Sequence, residues 1–182
     1  MFRPRVIPCL LLKNQGLVKT VKFKNSRYVG DPMNAIRIFN KKKADELIFL
    51  DIMATKENRI PNIELIKKIG EECMMPFAVG GGIKSMMDIE SIFAAGAEKV
   101  VINTCAVLDP EILKKASSHF GRQSIIAAID VKKKIFGGYN IFTHGGKNST
   151  GIDPIEFVKI LEDYGAGEIF LNSIDRDGTY EG

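Results

Sequence analysis

Ala44–Asp51 reads ADELIFLD, and Ala166–Ser173 reads AGEIFLNS. In each, a Glu precedes an apolar run that ends on a polar side chain. A run of this kind, without polar alternation, is expected of a strand buried on both faces, as in a parallel sheet. A second pair lies in the same relation: RVIPCLL at Arg5–Leu11 aligns with SIIAAID at Ser124–Asp130. The two pairs share an offset of about 120 residues, so the chain carries a weak internal repeat, which favours a closed eight-stranded barrel over an open doubly wound sheet.

Working outward, six such strands are expected, over Arg5–Leu12, Glu46–Ile52, Pro76–Gly80, Lys99–Asn103, Ser124–Val131 and Glu168–Ile174. Helices separate them. Asp31-Pro32, Asp109-Pro110 and Asp153-Pro154 pair a capping acid with a first-turn proline, Pro61–Glu72 reads as a helix, and Ser85–Ala95 ends at Gly96. Lys134–Thr143, with Gly137-Gly138 at its centre, reads as an inserted hairpin. Strands alternating with helices imply parallel pairing and right-handed crossovers. The expected fold is therefore α/β, a (βα)8 TIM barrel of the ribulose-phosphate-binding type, truncated to about six βα units. Residues 1–182 are expected to form one barrel domain that lacks its last two βα units at the C-terminal end.

With 182 residues, 45% hydrophobic and 26% charged, the composition is that of one globular domain with a full core. The net charge of +4 suits a small anionic ligand. The lysines are scattered, apart from Lys41–Lys43 at an expected helix end and Lys132–Lys134 in an expected turn, which argues against nucleic acid. Cys9, Cys73 and Cys105 form no CxxC, and the odd number argues for a reducing cytoplasm, each cysteine acting as a small buried hydrophobe. The apolar stretch near the start is too short for a membrane span. His119 and His144 lack partners at metal-ligand spacing, and no dinucleotide fingerprint is present, so no metal or cofactor is expected.

The candidate chemistry sits at strand ends. Gly80-Gly81-Gly82 follows the third strand, where glycines let backbone N–H groups approach an anion. Asn103-Thr104 ends the fourth strand on the same face, so Gly81, Gly82, Asn103 and Thr104 read as one phosphate site. Asp177-Gly178, in the loop after strand six, reads as half of another. Asp51, Asp130 and Asp175 lie at or just past strand C-termini, the catalytic face of such barrels. Asp130, after IIAAI, is the best candidate general acid or base, whereas Asp51 can equally be structural. On the opposite face Arg5, Glu46, Lys99 and Glu168 each open a strand, and read as a neutral ring of charges that plugs the barrel.

These motifs, in this order, resemble the cyclase subunit family of imidazole glycerol phosphate synthase: RVIPCL, the GDP at Gly30–Pro32, FLDI at Phe49–Ile52, VGGGI, KVVINT, AAIDVK, Thr150-Gly151, GAGEI and SIDRDGT. The resemblance implies a (βα)8 barrel that docks a glutaminase subunit on its N-terminal face. Ammonia from the glutaminase would pass through the barrel to a phosphorylated ribulosyl substrate. It further implies that Arg5, Glu46, Lys99 and Glu168 form an ammonia gate, that Lys19 belongs to the first mobile loop, and that Asp130 is one of two catalytic aspartates. The second aspartate is replaced by Leu11, which the internal repeat also places in register with Asp130. Asn14-Gln15-Gly16 and Thr20 depart from the family's first loop, and His144 is a candidate for the altered pocket. Leucine cannot exchange a proton, and losing one member of an acid–base pair costs roughly 10²–10⁴-fold. The pattern is therefore also similar to cyclase-like paralogues associated with surface-polysaccharide genes, for which the implied role is ammonia delivery to a sugar amidotransferase. A histidine-pathway cyclase, an inert glutaminase-activating scaffold and a related isomerase are the alternatives. The retained charges argue against the isomerase. Neither nucleic acid nor membrane is an expected partner.

Overall fold

The apolar runs form strands because only a sheet covered on both faces buries them completely. The computed structural model describes residues 3–180, and its elements follow in chain order. They are β1 (Cys9–Lys13), β2 (Gly16–Val21), β3 (Lys24–Gly30), α1 (Pro32–Lys42), β4 (Leu47–Asp51), α2 (Ile63–Glu72), β5 (Phe77–Gly80) and α3 (Met86–Ala94). There follow β6 (Lys99–Ile102), α4 (Thr104–Leu108), α5 (Glu111–Phe120), β7 (Ile125–Lys133), β8 (Tyr139–Thr143), β9 (Asn148–Ser149), α6 (Pro154–Asp163) and β10 (Glu168–Ser173). The strands β1, β4, β5, β6, β7 and β10 pair in that order, all parallel, as the sequence predicts.

Two of the three Asp-Pro signals act as expected; at the third, Asp109 ends α4 and α5 is opened by Pro110 without a side-chain cap. Asp31 caps α1 through the backbone N–H groups of Met33 and Asn34, Asp153 caps α6, and Ser85 with Asp88 forms a capping box on α3. Lys41 and Lys42 fall in the last turn of α1, where the helix dipole favours cations.

Three details differ from expectation. The first strand begins at Cys9 rather than Arg5: Pro4 and Pro8 have no N–H to give, and the ladder opens only where Ile48 N donates to the Pro8 carbonyl at 2.9 Å. A short helix, α4, precedes α5. The segment between β1 and α1, expected as a mobile loop, is the β2–β3 hairpin, paired antiparallel onto β1. Its turn at Lys22-Phe23 takes positive φ at both residues (52° and 59°), as a two-residue primed turn requires, but without the Asn or Gly that announces one.

The core divides between the two faces of the sheet. The larger cluster packs the helices onto the convex face and contains Phe49, Phe77, Ile89, Ile102 and Leu113. The smaller one fills the concave face with strand residues, among them Ile48, Ala78, Val101, Ile126 and Ala128. Among the described residues β10 pairs with β7 and not with β1, so the sheet is curled but not closed. On β10, Ile169 and Leu171 keep 37% and 61% of their surface exposed, which marks that strand as an edge. No helix among the described residues is long and apolar enough to cross a membrane.

Phe49 is fully buried and meets Phe77 edge-on, with ring centroids 6.2 Å apart. Phe49→Ala is expected to lower unfolding stability by about 3–5 kcal/mol, through lost transfer energy and a residual cavity, as read from the urea midpoint.

Candidate active site

The concave face is set by strand parity. Leu11, Leu50, Gly80, Val101 and Ile126 lie in one ladder row. Asp130 stands four residues beyond Ile126 on the same side and pairs in register with Asn172 of β10. Asp130 is 6% exposed and sits in an amide cradle. Asn103 Nδ2 donates to one carboxylate oxygen and Asn172 Nδ2 to the other, each at 3.1 Å. Burial pushes the Asp130 carboxyl up to about 6; the two amide bonds oppose that shift and the nearby Asp177 adds to it. A carboxyl in this state can either take or give a proton near neutral pH. Leu11, half-buried, is the β1 residue that the internal repeat aligns with Asp130, and β1 carries no acid.

Other candidates at this end are committed to holding loops. Asp177 accepts from Thr20 Oγ1 at 2.7 Å and from Phe23 N at 2.9 Å, while its carbonyl accepts from Lys22 N at 2.9 Å. A Cβ at Gly178 would collide with the Thr20 carbonyl. Asp177-Gly178 thus clasps the β2–β3 hairpin and supports its positive-φ turn. Lys19, on that hairpin, is exposed and places Nζ 5.8 Å from the centroid of the Tyr180 ring. Asp175 accepts from Lys133 N at 2.9 Å.

Asp51 pairs in register with Leu12, so it faces the helices rather than the hollow. Its Oδ1 accepts from Met53 N and Ala54 N, and Oδ2 meets Arg59 at 2.6 Å, beside a separate cavity of about 280 Å³. The structural alternative left open for Asp51 is the one found. Gly81, at φ 121°, lets the chain pass the Asp51 carbonyl, which a Cβ would approach to 2.5 Å. Gly82 N donates to Thr55 Oγ1 at 3.2 Å. The Gly81-Gly82 loop and the Asn103-Thr104 turn are neighbours, since Cys105 Sγ lies 3.7 Å from the Lys84 carbonyl. Thr104 Oγ1 accepts from His144 N at 3.1 Å. The His144 ring is exposed and hydrogen-bonds through Nδ1 to Thr143 Oγ1 and Asn148 Nδ2.

At the opposite end the four charges meet in an alternating ring. Arg5 binds Glu46 and Glu168, each at 3.1 Å, and Lys99 binds the same two acids, each at 2.7 Å. Glu46 is 2% exposed, and its Oε1 has no hydrogen-bond partner among the described residues. Burial alone would lower the Lys99 pKa, but its bonds to Glu168 and Glu46 outweigh burial and raise it. Burial likewise opposes ionisation of Glu168, and the bonds from Lys99 and Arg5 reverse that, holding its carboxyl below the ordinary value.

Cys9 corrects an expectation. The three cysteines are free, but Cys9 is exposed and Cys73 and Cys105 are half-buried. Cys9 lies beside the opening between β1 and β10, where water reaches it. Protein nonetheless surrounds its thiol, and that crowding, with the charges of Asp177 and Asp130, pushes it up to about 12. It is therefore a neutral thiol in the hollow.

Sequence reasoning missed the cradle residue Asn172. The internal repeat carried the signal, because it aligns Asn172 with Leu50, so one copy holds an amide where the other is apolar. Thr20 and Arg59 were not recognised as the partners of Asp177 and Asp51, contacts that join distant loops.

A family profile described as histidine biosynthesis protein matches residues 5–182. The chain belongs to that family. It is 53% identical over 182 residues to a protein of Pseudomonas aeruginosa with the provisional name imidazole glycerol phosphate synthase subunit hisF2, covering all of this chain and 72% of the relative. It is 47% identical over 183 residues to a HisF protein of Leptospira interrogans, also provisionally named as a subunit of that synthase, again covering all of this chain and 72% of the relative. A third relative, hisF3 of Vibrio vulnificus, provisionally named in the same way, is 48% identical over 183 residues, with 70% of its length covered. The match supports the barrel expectation, and with the curled parallel sheet it gives the chain its α/β (βα)-barrel class.

The charges at both ends can be tested by substitution. Because the folded pKa of Asp130 is raised from 3.8 to about 6, its contribution to stability is greatest below the unfolded value and is lost as pH rises through about 6. Asp130→Asn should abolish that part of the pH dependence in urea titrations. Asn172→Leu, which removes a bond that favours the carboxylate, should move the Asp130 midpoint higher in a carboxyl ¹³C NMR titration. In the ring, Lys99→Met leaves Glu46 buried against Arg5 alone, and is expected to cost about 3–5 kcal/mol in denaturant unfolding.

Proposed function

We propose that this chain is the ammonia-accepting subunit of a cytoplasmic glutamine amidotransferase complex, and that a glutaminase docks at the face bearing Arg5, Glu46, Lys99 and Glu168. The observation that carries this reading is the contrast between the two ends of one hollow. The four-charge ring is intact at the bottom, while at the top Asp130 is buried and β1 carries Leu11, the residue that the family resemblance aligns with a second acid. The unspent Glu46 Oε1 is an acceptor available to a small N–H donor at the ring. Beyond the ring the buried concave residues are apolar, among them Ile48, Ala78, Val101 and Ala128. Such a lining admits neutral ammonia far more readily than ammonium, which would lose its hydration without a counter-charge.

On this reading the ammonia leaves past Asp130, and the favoured use is conversion of an acetamido to an acetamidino group by a sugar amidotransferase in surface-polysaccharide biosynthesis. Asp130, poised near pH 6, would manage the proton of the emerging nitrogen. The Gly81-Gly82 and Asn103-Thr104 turns would receive a phosphate if a phosphorylated acceptor or effector binds the mouth, with Lys19, Asp177 and Gly178 on the facing loops.

A second reading, a genuine imidazole glycerol phosphate synthase cyclase, is favoured by the retained, perturbed Asp130 and by the names of the relatives. The two separate in one experiment on the full-length protein with its glutaminase. Ammonia-dependent cyclisation of the ribulosyl substrate is measured for wild type and for Leu11→Asp. The conduit reading expects no wild-type turnover with intact stimulation of the glutaminase, and a partial gain in the variant. Robust wild-type turnover would establish the cyclase instead. A third possibility, a scaffold that only activates glutaminase, expects ammonia transfer to an acceptor to be indifferent to Asp130→Asn.

A further inference from the structure

The strand that carries Asp130 does not stop at the rim. It continues to Lys133 and returns through β8, with Val131, Lys132 and Lys133 paired to Ile141, Asn140 and Tyr139. The turn is closed by Lys134 N donating to the Gly138 carbonyl at 3.0 Å and Gly137 N to the Lys134 carbonyl at 3.3 Å. Gly137 and Gly138 supply the positive φ it needs. The hairpin is thus hydrogen-bonded up to its turn, and at its tip it holds Ile135 and Phe136 at 94% and 101% exposure. Scattered exposed apolar residues are ordinary, but two adjacent large ones on an ordered tip, with Tyr139 beside them at 45%, have the make-up of an interface anchor.

Two features define what would cover them. Lys132, Lys133 and Lys134 form a basic collar just below the tip. Between the hairpin and the loop after β10 lies a cleft of about 310 Å³, with Lys133, Lys134, Ile135 and Tyr139 on one side and Ser173, Asp175 and Arg176 on the other. Lys133 N, bonded to Asp175, ties the hairpin to that loop and holds the cleft open beside the knob.

We propose that the β7–β8 hairpin is the docking finger for the protein that consumes the ammonia, a partner with an apolar slot for Ile135 and Phe136 and carboxylates facing Lys133 and Lys134. This rests on the conduit reading, and it names the partner's contact point. The finger rises from the rim three residues beyond Asp130, so a partner gripping it is brought over the mouth from which ammonia leaves. A protein fits better than an anionic bilayer, because a ridge can fill the cleft and a planar surface cannot.

The test uses the full-length protein, its glutaminase and a purified acetamido-sugar amidotransferase. Binding of the amidotransferase is compared for wild type, the double variant Ile135→Ser/Phe136→Ser and the charge reversal Lys133→Glu/Lys134→Glu. All the changed side chains are exposed, so thermal unfolding and glutaminase stimulation should not move. The finger predicts at least about tenfold weaker binding for the serine pair. It also predicts slower association for the charge reversal, most evident at low salt, and loss of glutamine-dependent product while product from added ammonium salt persists. Unchanged affinity in both variants, with wild type binding, overturns the finger and leaves the conduit standing. Wild type that fails to bind the amidotransferase overturns the conduit reading and the finger with it. Selective loss of binding to phosphatidylcholine–phosphatidylglycerol vesicles, with the amidotransferase unaffected, assigns the tip to a membrane surface and overturns the proposal. So does protection of a thiol at position 136 (Phe136→Cys) in the isolated full-length protein, which would place the tip beneath the chain's own fold.

Discussion

The alternating contacts of Arg5, Glu46, Lys99 and Glu168 constrain the fold more than any other polar group. Each side chain comes from a different segment: before β1, before β4, at the start of β6 and at the start of β10. Every charge meets two of opposite sign, at 2.7–3.1 Å. Burying Glu46 alone would be costly, and its contacts with Arg5 and Lys99 make that burial tolerable. The ring therefore fixes how far the sheet curls, because Arg5 reaches Glu168 only if β1 and β10 approach each other. Hydrogen bonding between strands does not supply that link, since the sheet is open at that point among the described residues.

At the other end the same linkage is made by backbone and side-chain hydrogen bonds. Asp177 draws the β2–β3 hairpin across to the loop after β10 through Thr20, Lys22 and Phe23. The turn it holds contains two non-glycine residues in the left-handed region, a conformation that persists only where its surroundings over-determine it. The two clasps, ionic below and hydrogen-bonded above, bracket a hollow in which Asp130 is the buried carboxylate at the mouth. The amides of Asn103 and Asn172 keep that carboxylate oriented, and partly offset a desolvation that would otherwise raise its pKa further.

Chemistry at the mouth depends on what faces Asp130 as much as on Asp130 itself. The apolar middle of the hollow and the polar groups at each end would pass a small neutral base, and the β7–β8 hairpin stands beside the exit.

The parallel strand order and the starts of α1, α3 and α6 were legible in the chain alone. Uninterrupted apolar runs and Asp-Pro caps are local signals whose physics does not depend on the rest of the chain. The internal repeat aligns Leu11 with Asp130, and strand parity then puts both on the concave face. Tertiary structure alone decided the other roles. The turn at Lys22-Phe23 has no local cue and exists because Asp177, 154 residues away from Phe23, holds it. Asp51 looked like its catalytic-face neighbours, yet one residue of register turns it toward the helices and Arg59. Asn172 became part of the cradle through pairing with Asp130, 42 residues away. Residue spacing reports periodicity within an element, whereas contacts between loops depend on how far the sheet curls, and that brings four charges from four separate segments together around the buried Glu46.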